Sequence, residues 1–66
     1  MMYDILAIQN EFAFYGFTQP PLSHEQIRRL LEDGFSQGLI YSIGCDVEGG
    51  VSFRQAVAAA KRAQAR

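Results

Sequence analysis

Residues 34–53, GFSQGLIYSIGCDVEGGVSF, decide the fold because they contain two helix starts of the same design. In each start a serine, Ser36 or Ser52, directly follows an apolar residue and precedes a helical apolar pattern. A serine hydroxyl at a helix N-cap accepts a hydrogen bond from a backbone amide two or three residues later, which stabilises the helix by about 1 kcal/mol. A third start of this kind occurs at Ser23. The three starts predict consecutive short helices joined by tight turns.

Side chains beside the serines are suited to two further capping contacts. A glutamine three residues after the cap can reach back to the cap amide in a capping box, and an apolar residue before the cap can pack on one inside the helix as a hydrophobic staple. The candidates are Gln26 and Gln55 for the capping boxes, and Leu22 with Ile27 and Phe35 with Ile40 for the staples.

Glycines are expected to end helices and to bring helices together. Gly34 is placed to end the second helix as a C′ residue, and Gly49-Gly50 is the next break. Gly38 and Gly44 lie inside the third helix, where each costs about 1 kcal/mol relative to alanine. Their expected benefit is the close approach of a neighbouring helix.

Apolar residues recur every three to four positions in four segments, which is the spacing of one helix face. We therefore expect an all-α fold of four short helices at about residues 3–17, 23–33, 36–48 and 52–65, in one small helical domain over residues 1–66. The inward faces are expected to be Ile5, Ile8, Phe12 and Tyr15; Ile27, Leu30 and Leu31; Ile40, Ile43 and Val47; and Phe53, Ala56, Val57 and Ala60.

Four aromatic residues crowd into residues 12–17. The segment EFAFYGF, residues 11–17, is also compatible with a β-strand, but it has no obvious hairpin partner and the helix is preferred. Core packing accounts for such a cluster, and so does an exposed patch that docks another chain. Phe14 and Phe17 lie outside the inward apolar face of the first helix, so they are the candidates for an exposed docking patch.

Size and composition favour a protein that associates with another chain. The sequence has 66 residues and is 48% hydrophobic, which excludes a disordered chain. A chain of this length buries only roughly 60% of its unfolded surface. We therefore expect one domain that forms a dimer or binds a protein partner.

Charge is unevenly distributed along the chain. Residues 1–50 contain all seven acidic residues and two arginines, whereas residues 51–66 contain four basic residues and no acid. Cations near a helix C-terminus are favoured by the helix dipole, which accounts for the basic last helix without a functional role. A basic strip that contacts a partner is the functional alternative, and both interpretations stay open at this point.

Cys45 is the only cysteine, which excludes an internal disulfide. The first ten residues, MMYDILAIQN, lack the basic stretch of a signal peptide. No uncharged apolar run approaches the roughly 20 residues that cross a bilayer. We therefore expect a cytoplasmic protein without a membrane segment.

The residues that could carry chemistry are isolated from one another. His24 is the only histidine and is expected to be solvated, and Cys45 has no histidine nearby and is expected to be an inert, half-buried side chain. Asp46 and Glu48 precede two glycines but lack the further oxygen ligands of a calcium loop, so an acidic edge is expected. We expect no enzyme activity, no cofactor, no metal site and no small-molecule substrate.

Residues 30–44, LLEDGFSQGLIYSIG, combine a leucine pair, a glycine–apolar–serine turn and an isoleucine four residues after the serine. This run resembles the helix-turn-helix of some transposases, resolvases and small phage or plasmid repressors. The resemblance implies a compact helix-turn-helix-like bundle whose third helix enters the DNA major groove, with Ser36, Gln37 and Tyr41 toward bases and phosphates. The chain departs from that pattern because its third helix has no basic residue and ends in two acids, whereas phosphate neutralisation supplies much of the affinity for DNA.

A second registration of the same resemblance makes the last helix the reader. Arg54 and Gln55 would then lie at its N-terminal end, where arginine and glutamine suit guanine and adenine edges. Lys61 and Arg62 would face phosphates. The bend before this helix is expected to be longer than the usual helix-turn-helix turn.

Two functional hypotheses follow from these observations. The first is a small non-enzymatic regulatory protein that binds a protein partner, such as an antiactivator or inhibitor of a DNA-binding protein, and its candidate binding residues are Phe14, Phe17, Tyr41, Asp46 and Glu48. The alternative is a sequence-specific transcriptional regulator that binds DNA through Arg54, Gln55, Lys61 and Arg62.

Overall fold

The computed structural model describes the backbone of residues 2–65 and the side chains of residues 4–65. Four helices make up this part of the chain: α1 (Met2–Phe14), α2 (His24–Glu32), α3 (Gln37–Glu48) and α4 (Phe53–Gln64). No strand occurs in it. The predicted all-α fold with four short helices is therefore confirmed, and the starts of α2, α3 and α4 agree with the prediction to within one residue.

Serine caps start three of the helices, as predicted. Each cap serine is in an extended conformation, and its hydroxyl accepts a hydrogen bond from the amide three residues later. At α2 the Gln26 side chain also accepts a hydrogen bond from the Ser23 amide at 2.8 Å, which completes the capping box. Gln55 is exposed and forms no reciprocal bond within the described residues, so that predicted box is wrong. The cap pairs are Ser23 with Gln26, Ser36 with Leu39, and Ser52 with Gln55.

Helix α1 ends three residues earlier than predicted, at Phe14. Gly16 follows with a φ of 96°, in the left-handed region that glycine adopts without strain. The Gly16 amide then donates to the Ala13 carbonyl and the Phe17 amide to the Phe12 carbonyl, which is the Schellman arrangement. The strand alternative for residues 11–17 is wrong, because this segment is the last turn of α1 and its cap.

The turns α2–α3 and α3–α4 are built in the same way. Each has four residues between the helices, and each ends its first helix with a Schellman arrangement at a glycine, Gly34 or Gly50. An apolar residue and the cap serine follow in both. At four residues, the α3–α4 turn is within the usual length of a helix-turn-helix turn, roughly three to four residues, so the expectation that it would be longer than usual is wrong.

Helix α3 packs against each of the other three helices, whereas α4 packs against α3 alone. Ala56 and Ala60 are the buried residues of α4, and their small side chains let it approach α3 closely. The Gln64 side chain donates to the Gly34 carbonyl at 3.4 Å, which links the end of α4 to the α2–α3 turn. The buried core consists of Ile5, Ile8, Phe12, Leu22, Ile27, Leu30, Phe35, Ile40, Ile43, Ala56 and Ala60.

Several residues that were expected in the core lie at its edge. Tyr15 is 66% exposed, because α1 has ended and the helical spacing no longer applies to it. Both predicted staples place their residues in the core, as expected. The residues that are half-buried against the core rather than inside it are Leu31, Val47, Phe53 and Val57.

The two glycines inside α3 have different environments. Gly44 is buried, and a Cβ atom built on it would lie 2.4 Å from Cζ of Phe12, so α1 approaches α3 closely there as predicted. Gly38 is exposed, and the nearest atom to its ideal Cβ position is the Ser36 hydroxyl at 4.0 Å. The prediction that Gly38 admits a neighbouring helix is therefore wrong.

Candidate functional site

An aromatic surface lies where the end of α1 meets α3. We use this name for Phe14, Tyr15, Phe17 and Tyr41. Phe14 is 81% exposed, and its ring contacts that of Tyr15 edge to face with centroids 5.7 Å apart. The Tyr15 ring reaches Tyr41 of α3 at 6.5 Å. Phe14 and Tyr15 are thus exposed side by side, as was predicted for Phe14, and Tyr15 connects them to the half-buried ring of Tyr41.

Phe17 is half-buried, which corrects the prediction that it is an exposed docking residue. It follows the glycine that caps α1, and the Schellman arrangement folds it back onto the core. Its ring packs edge to face on Phe12 at 5.6 Å. Tyr15, which was expected in the core, takes the exposed position instead. The signal for this exchange was present in the sequence, because Gly16-Phe17 repeats the glycine–apolar pair that ends α2 and α3.

A hollow of about 440 Å³ opens between these rings. The buried ring of Phe12 lines it, and the rings of Phe17 and Tyr41 stand nearly perpendicular to the ring of Phe12, at 83° and 84°. Cys45, one turn after Tyr41 on α3, also lines the hollow. Its side chain is exposed and the thiol is free, which corrects the half-buried position expected for it. The hollow is lined by Phe12, Tyr15, Phe17, Tyr41 and Cys45.

Acidic residues accompany the hollow on both helices. Glu11 lies one turn before Tyr15, and Glu48 lies three residues after Cys45, on the same helix face. Both side chains are exposed. Asp46 is exposed on a neighbouring face of α3, about 100° around the helix axis from Cys45. The structure therefore brings Phe17 and Tyr41 together at the hollow. Glu48 lies one turn beyond Cys45 on the same face of α3, and Asp46 lies to one side.

The pKa of Tyr41 is raised above its ordinary value near 10. Burial in the hollow is the main cause, because it disfavours the charged phenolate, and the carboxylate of Glu11 and the phenol of Tyr15 add to it. Since the folded state holds this proton more tightly than the unfolded state, the stability from this group is full below about pH 10 and is lost as the pH rises through the folded pKa.

We expect Glu11→Gln to lower the pKa of Tyr41, because it removes the charge that opposes phenolate formation. The pKa is measured by following the ring carbon resonances of Tyr41 between pH 8 and pH 12. Asp33→Asn is the matched control: it removes the same charge at the C-cap of α2, where Asp33 lines a different groove with Phe35 and Lys61. An equal change in both variants would mean that Glu11 does not act on the hollow.

The predicted DNA-contacting residues all lie exposed on α4. Arg54 and Lys61 flank one shallow groove with Phe53, Val57 and Ala58, and Arg62 follows Lys61. Among the side chains of residues 4–65, ion pairs form only at Arg28, which binds Glu25 and Glu32 on α2. The cations of α4 in this range therefore have no acidic partner. Arg66, the remaining basic residue of this segment, lies outside the described residues.

The alternative in which α3 is the helix that enters the DNA major groove is less favourably arranged. Gln37 and Ser36 are exposed, but the Ser36 hydroxyl is already bonded to the Leu39 amide. Tyr41 is half-buried in the hollow. No basic residue lies on α3, so this helix presents no cation to a phosphate.

The remaining reactive side chains stay apart. His24 is exposed in the first turn of α2, away from Cys45 in the sequence. Across residues 4–65, no three histidine, cysteine, aspartate or glutamate side chains come together to hold a metal ion. None of the four described helices has both the length and the apolar character that crossing a membrane requires.

Comparison of the chain with protein-family models, with curated proteins and with solved structures finds no significant match. The resemblance of residues 30–44 to helix-turn-helix domains therefore stays a prediction.

Proposed function

We propose that this chain is a small non-enzymatic regulatory protein that binds a protein partner through its aromatic surface. The observation that carries the proposal is Phe14, which is 81% exposed and stands next to the exposed ring of Tyr15. Exposed aromatic side chains in contact with one another are typical of interfaces, because binding removes a large apolar area from contact with water.

The residue composition of the aromatic surface is also typical of the centre of an interface. Aromatic residues are enriched in the buried centres of protein interfaces, and tyrosine is one of the residues that most often dominates binding energy. The hollow beside Tyr15 and Tyr41 offers a partner side chain a place to insert. The acidic residues of α1 and α3 fit an antiactivator or inhibitor that covers a DNA-binding protein.

A capture experiment with matched variants tests this proposal. The immobilised full chain, Phe14→Ala and Arg54→Ala are each exposed to extract from the source cells, and retained proteins are identified by mass spectrometry. We expect a partner that the parent and Arg54→Ala retain and Phe14→Ala loses, with unchanged helical circular dichroism in all three. Equal retention by Phe14→Ala would contradict the proposal.

DNA binding through α4 is the second candidate function. The observation that favours it is that the exposed cations Arg54, Lys61 and Arg62 have no acidic partner among the described side chains. The short α3–α4 turn adds support, since it has the same length and hydrogen bonds as the α2–α3 turn. Against this candidate, all the acids of the first 50 residues oppose binding to a polyanion.

An amide NMR titration with a 16-base-pair duplex at low salt tests the DNA candidate. We expect that, if α4 binds DNA, shifts cluster on residues 53–64 and Arg54→Ala and Lys61→Ala each reduce the salt dependence of log K by about one phosphate contact. Arg29→Ala removes an exposed cation from α2 and serves as the control. The candidate fails if the three variants bind alike or if no shifts occur.

The proposal also covers the cellular compartment and the oligomeric state of the protein. The exposed free thiol of Cys45 suits a reducing compartment, so we place the protein in the cytoplasm. A second copy of the chain is an alternative occupant of the aromatic surface, and it would make the protein a homodimer.

A further inference from the structure

The charges on the helices that frame the hollow all have the same sign. The described residues of α1, the segment 15–17 and α3 contain Asp4, Glu11, Asp46 and Glu48, and no lysine, arginine or histidine. Every basic side chain in residues 4–65 lies on α2 or α4. The two helices that frame the hollow therefore carry only negative side-chain charge among the described residues.

One of these acids, Glu11, acts on a group in the hollow, and a second, Glu48, lies one turn beyond the hollow on α3. Glu11 lies in the last turn of α1, where its carbonyl accepts a hydrogen bond from the Tyr15 amide at 3.0 Å. Its carboxylate charge acts on the phenol of Tyr41 across the α1–α3 contact. Glu48 shares the face of α3 that carries Tyr41 and Cys45. Neither acid forms an ion pair within the described residues. Both carboxylates are thus available to a cation from outside.

The walls of the hollow are themselves attractive to a cation. The face of an aromatic ring carries negative electrostatic potential, and a cation within about 6 Å of the ring centre is stabilised by it. Tyr15 and Tyr41 stand at 75° to one another, so the hollow is bounded by rings in different orientations. Arginine suits such a site better than lysine, because its planar guanidinium is more weakly hydrated and stacks on aromatic faces.

We propose that the hollow receives an arginine side chain from a basic segment of the protein partner, with the guanidinium against Tyr15 and Tyr41 and its charge toward Glu11 and Glu48. This inference rests on the proposed function and names the chemistry of its partner. The partner segment is basic because the carboxylate of Glu11 acts on the hollow and the described parts of the framing elements carry no cation to oppose it. The residues next to the arginine in the partner segment are expected to be apolar, because the exposed ring of Phe14 contacts Tyr15 beside the hollow.

The test uses the full chain and two synthetic peptides. The first is a 12-residue peptide with three arginines among leucine and alanine, and the second replaces each arginine with citrulline, which has nearly the same shape and no charge. Amide NMR titration at moderate salt gives the affinity and the site. We expect the arginine peptide to shift Tyr15, Tyr41 and Cys45 and to bind about tenfold more tightly than the citrulline peptide.

Variants separate the hollow from bulk charge. We expect Tyr15→Ala to weaken the arginine peptide about tenfold, and Glu11→Gln and Glu48→Gln to weaken it about threefold each. Asp33→Asn removes the same charge elsewhere and is expected to leave the affinity unchanged. An equal loss in Asp33→Asn would overturn the proposal, because the peptide would then sense only the net charge.

Other results separate this inference from the proposed function. Equal affinity of the two peptides, or no shift in the hollow with either, would overturn the arginine proposal, while the capture experiment with Phe14→Ala still decides the proposed function. Sedimentation velocity measures the oligomeric state and so shows whether a second copy of the chain occupies the hollow. A dimer that both Tyr15→Ala and Arg62→Ala dissociate would mean that α4 of a second copy fills the hollow, and this too would overturn the proposal of a separate partner.

Discussion

Replacing Gly44 with alanine is expected to destabilise the fold by about 2–3 kcal/mol. The added Cβ would lie 2.4 Å from Cζ and 2.6 Å from Cε1 of Phe12, and 3.2 Å from Cγ of Pro21. The Phe12 ring is fully buried and contacts the rings of Phe17 and Tyr41, so moving it away from the new methyl group would disturb both ring contacts. Because a core of this size supplies about 3–5 kcal/mol, most of the stability would be lost.

Two matched substitutions show whether the Phe12 contact is the cause. Gly38→Ala adds the same methyl group to the same helix at an open position, and it is expected to stabilise the fold by up to about 1 kcal/mol. Phe12→Leu shortens the side chain that Gly44→Ala would strike, so the double variant is expected to be less destabilised than the sum of the single ones. Urea denaturation measures the free energy of unfolding of the parent protein, of the three single variants and of the double variant. Additive effects would contradict the contact between these two positions.

Replacing Phe35 with alanine is expected to cost about 3–5 kcal/mol and to unfold most of the protein. Phe35 is 5% exposed, and its amide closes the Schellman arrangement at the end of α2 by donating to the Leu30 carbonyl. The side chain belongs to the same buried core cluster as Leu30 and Ile40. Its loss leaves a cavity where α2 turns into α3, which the surrounding residues fill only in part.

Val51 provides the control, because it occupies the same position in the α3–α4 turn. Its amide closes the same arrangement by donating to the Asp46 carbonyl, but its side chain is 40% exposed. Val51→Ala is therefore expected to cost less than about 1 kcal/mol. Thermal unfolding followed by circular dichroism compares the two variants. Similar losses would mean that the turn backbone, rather than burial of Phe35, determines the stability.

The parts of the fold that depend on neighbouring residues could be predicted from the sequence. Ser23, Ser36 and Ser52 each bond to an amide three residues away, so their positions alone located three helix starts. The end of α1 was predicted wrongly because apolar spacing continues past the residue that stops the helix. The cap at Gly16 outweighs that spacing, and the glycine–apolar pair it forms with Phe17 would have located the end.

The candidate site was predictable only in part because it combines two helices. The exposure of Phe14 followed from its position off the stripe of α1. The hollow depends on α1 approaching α3 at Gly44, a contact between residues 32 positions apart in the sequence, so no local pattern could place Cys45 or Glu11 beside the rings. Tyr15 and Phe17 exchanged their expected roles because the backbone turns between them.

The most direct test of the central claim, that the aromatic surface is where this protein binds, compares Phe14→Ala and Arg54→Ala in one affinity measurement. The partner retained in the capture experiment is purified, and its dissociation constant is determined by isothermal titration calorimetry against the parent and both variants. We predict that Phe14→Ala weakens binding by about thirtyfold, as expected for an aromatic residue that dominates an interface, and that Arg54→Ala leaves the affinity unchanged. A loss with Arg54→Ala and none with Phe14→Ala would contradict the claim and assign binding to α4.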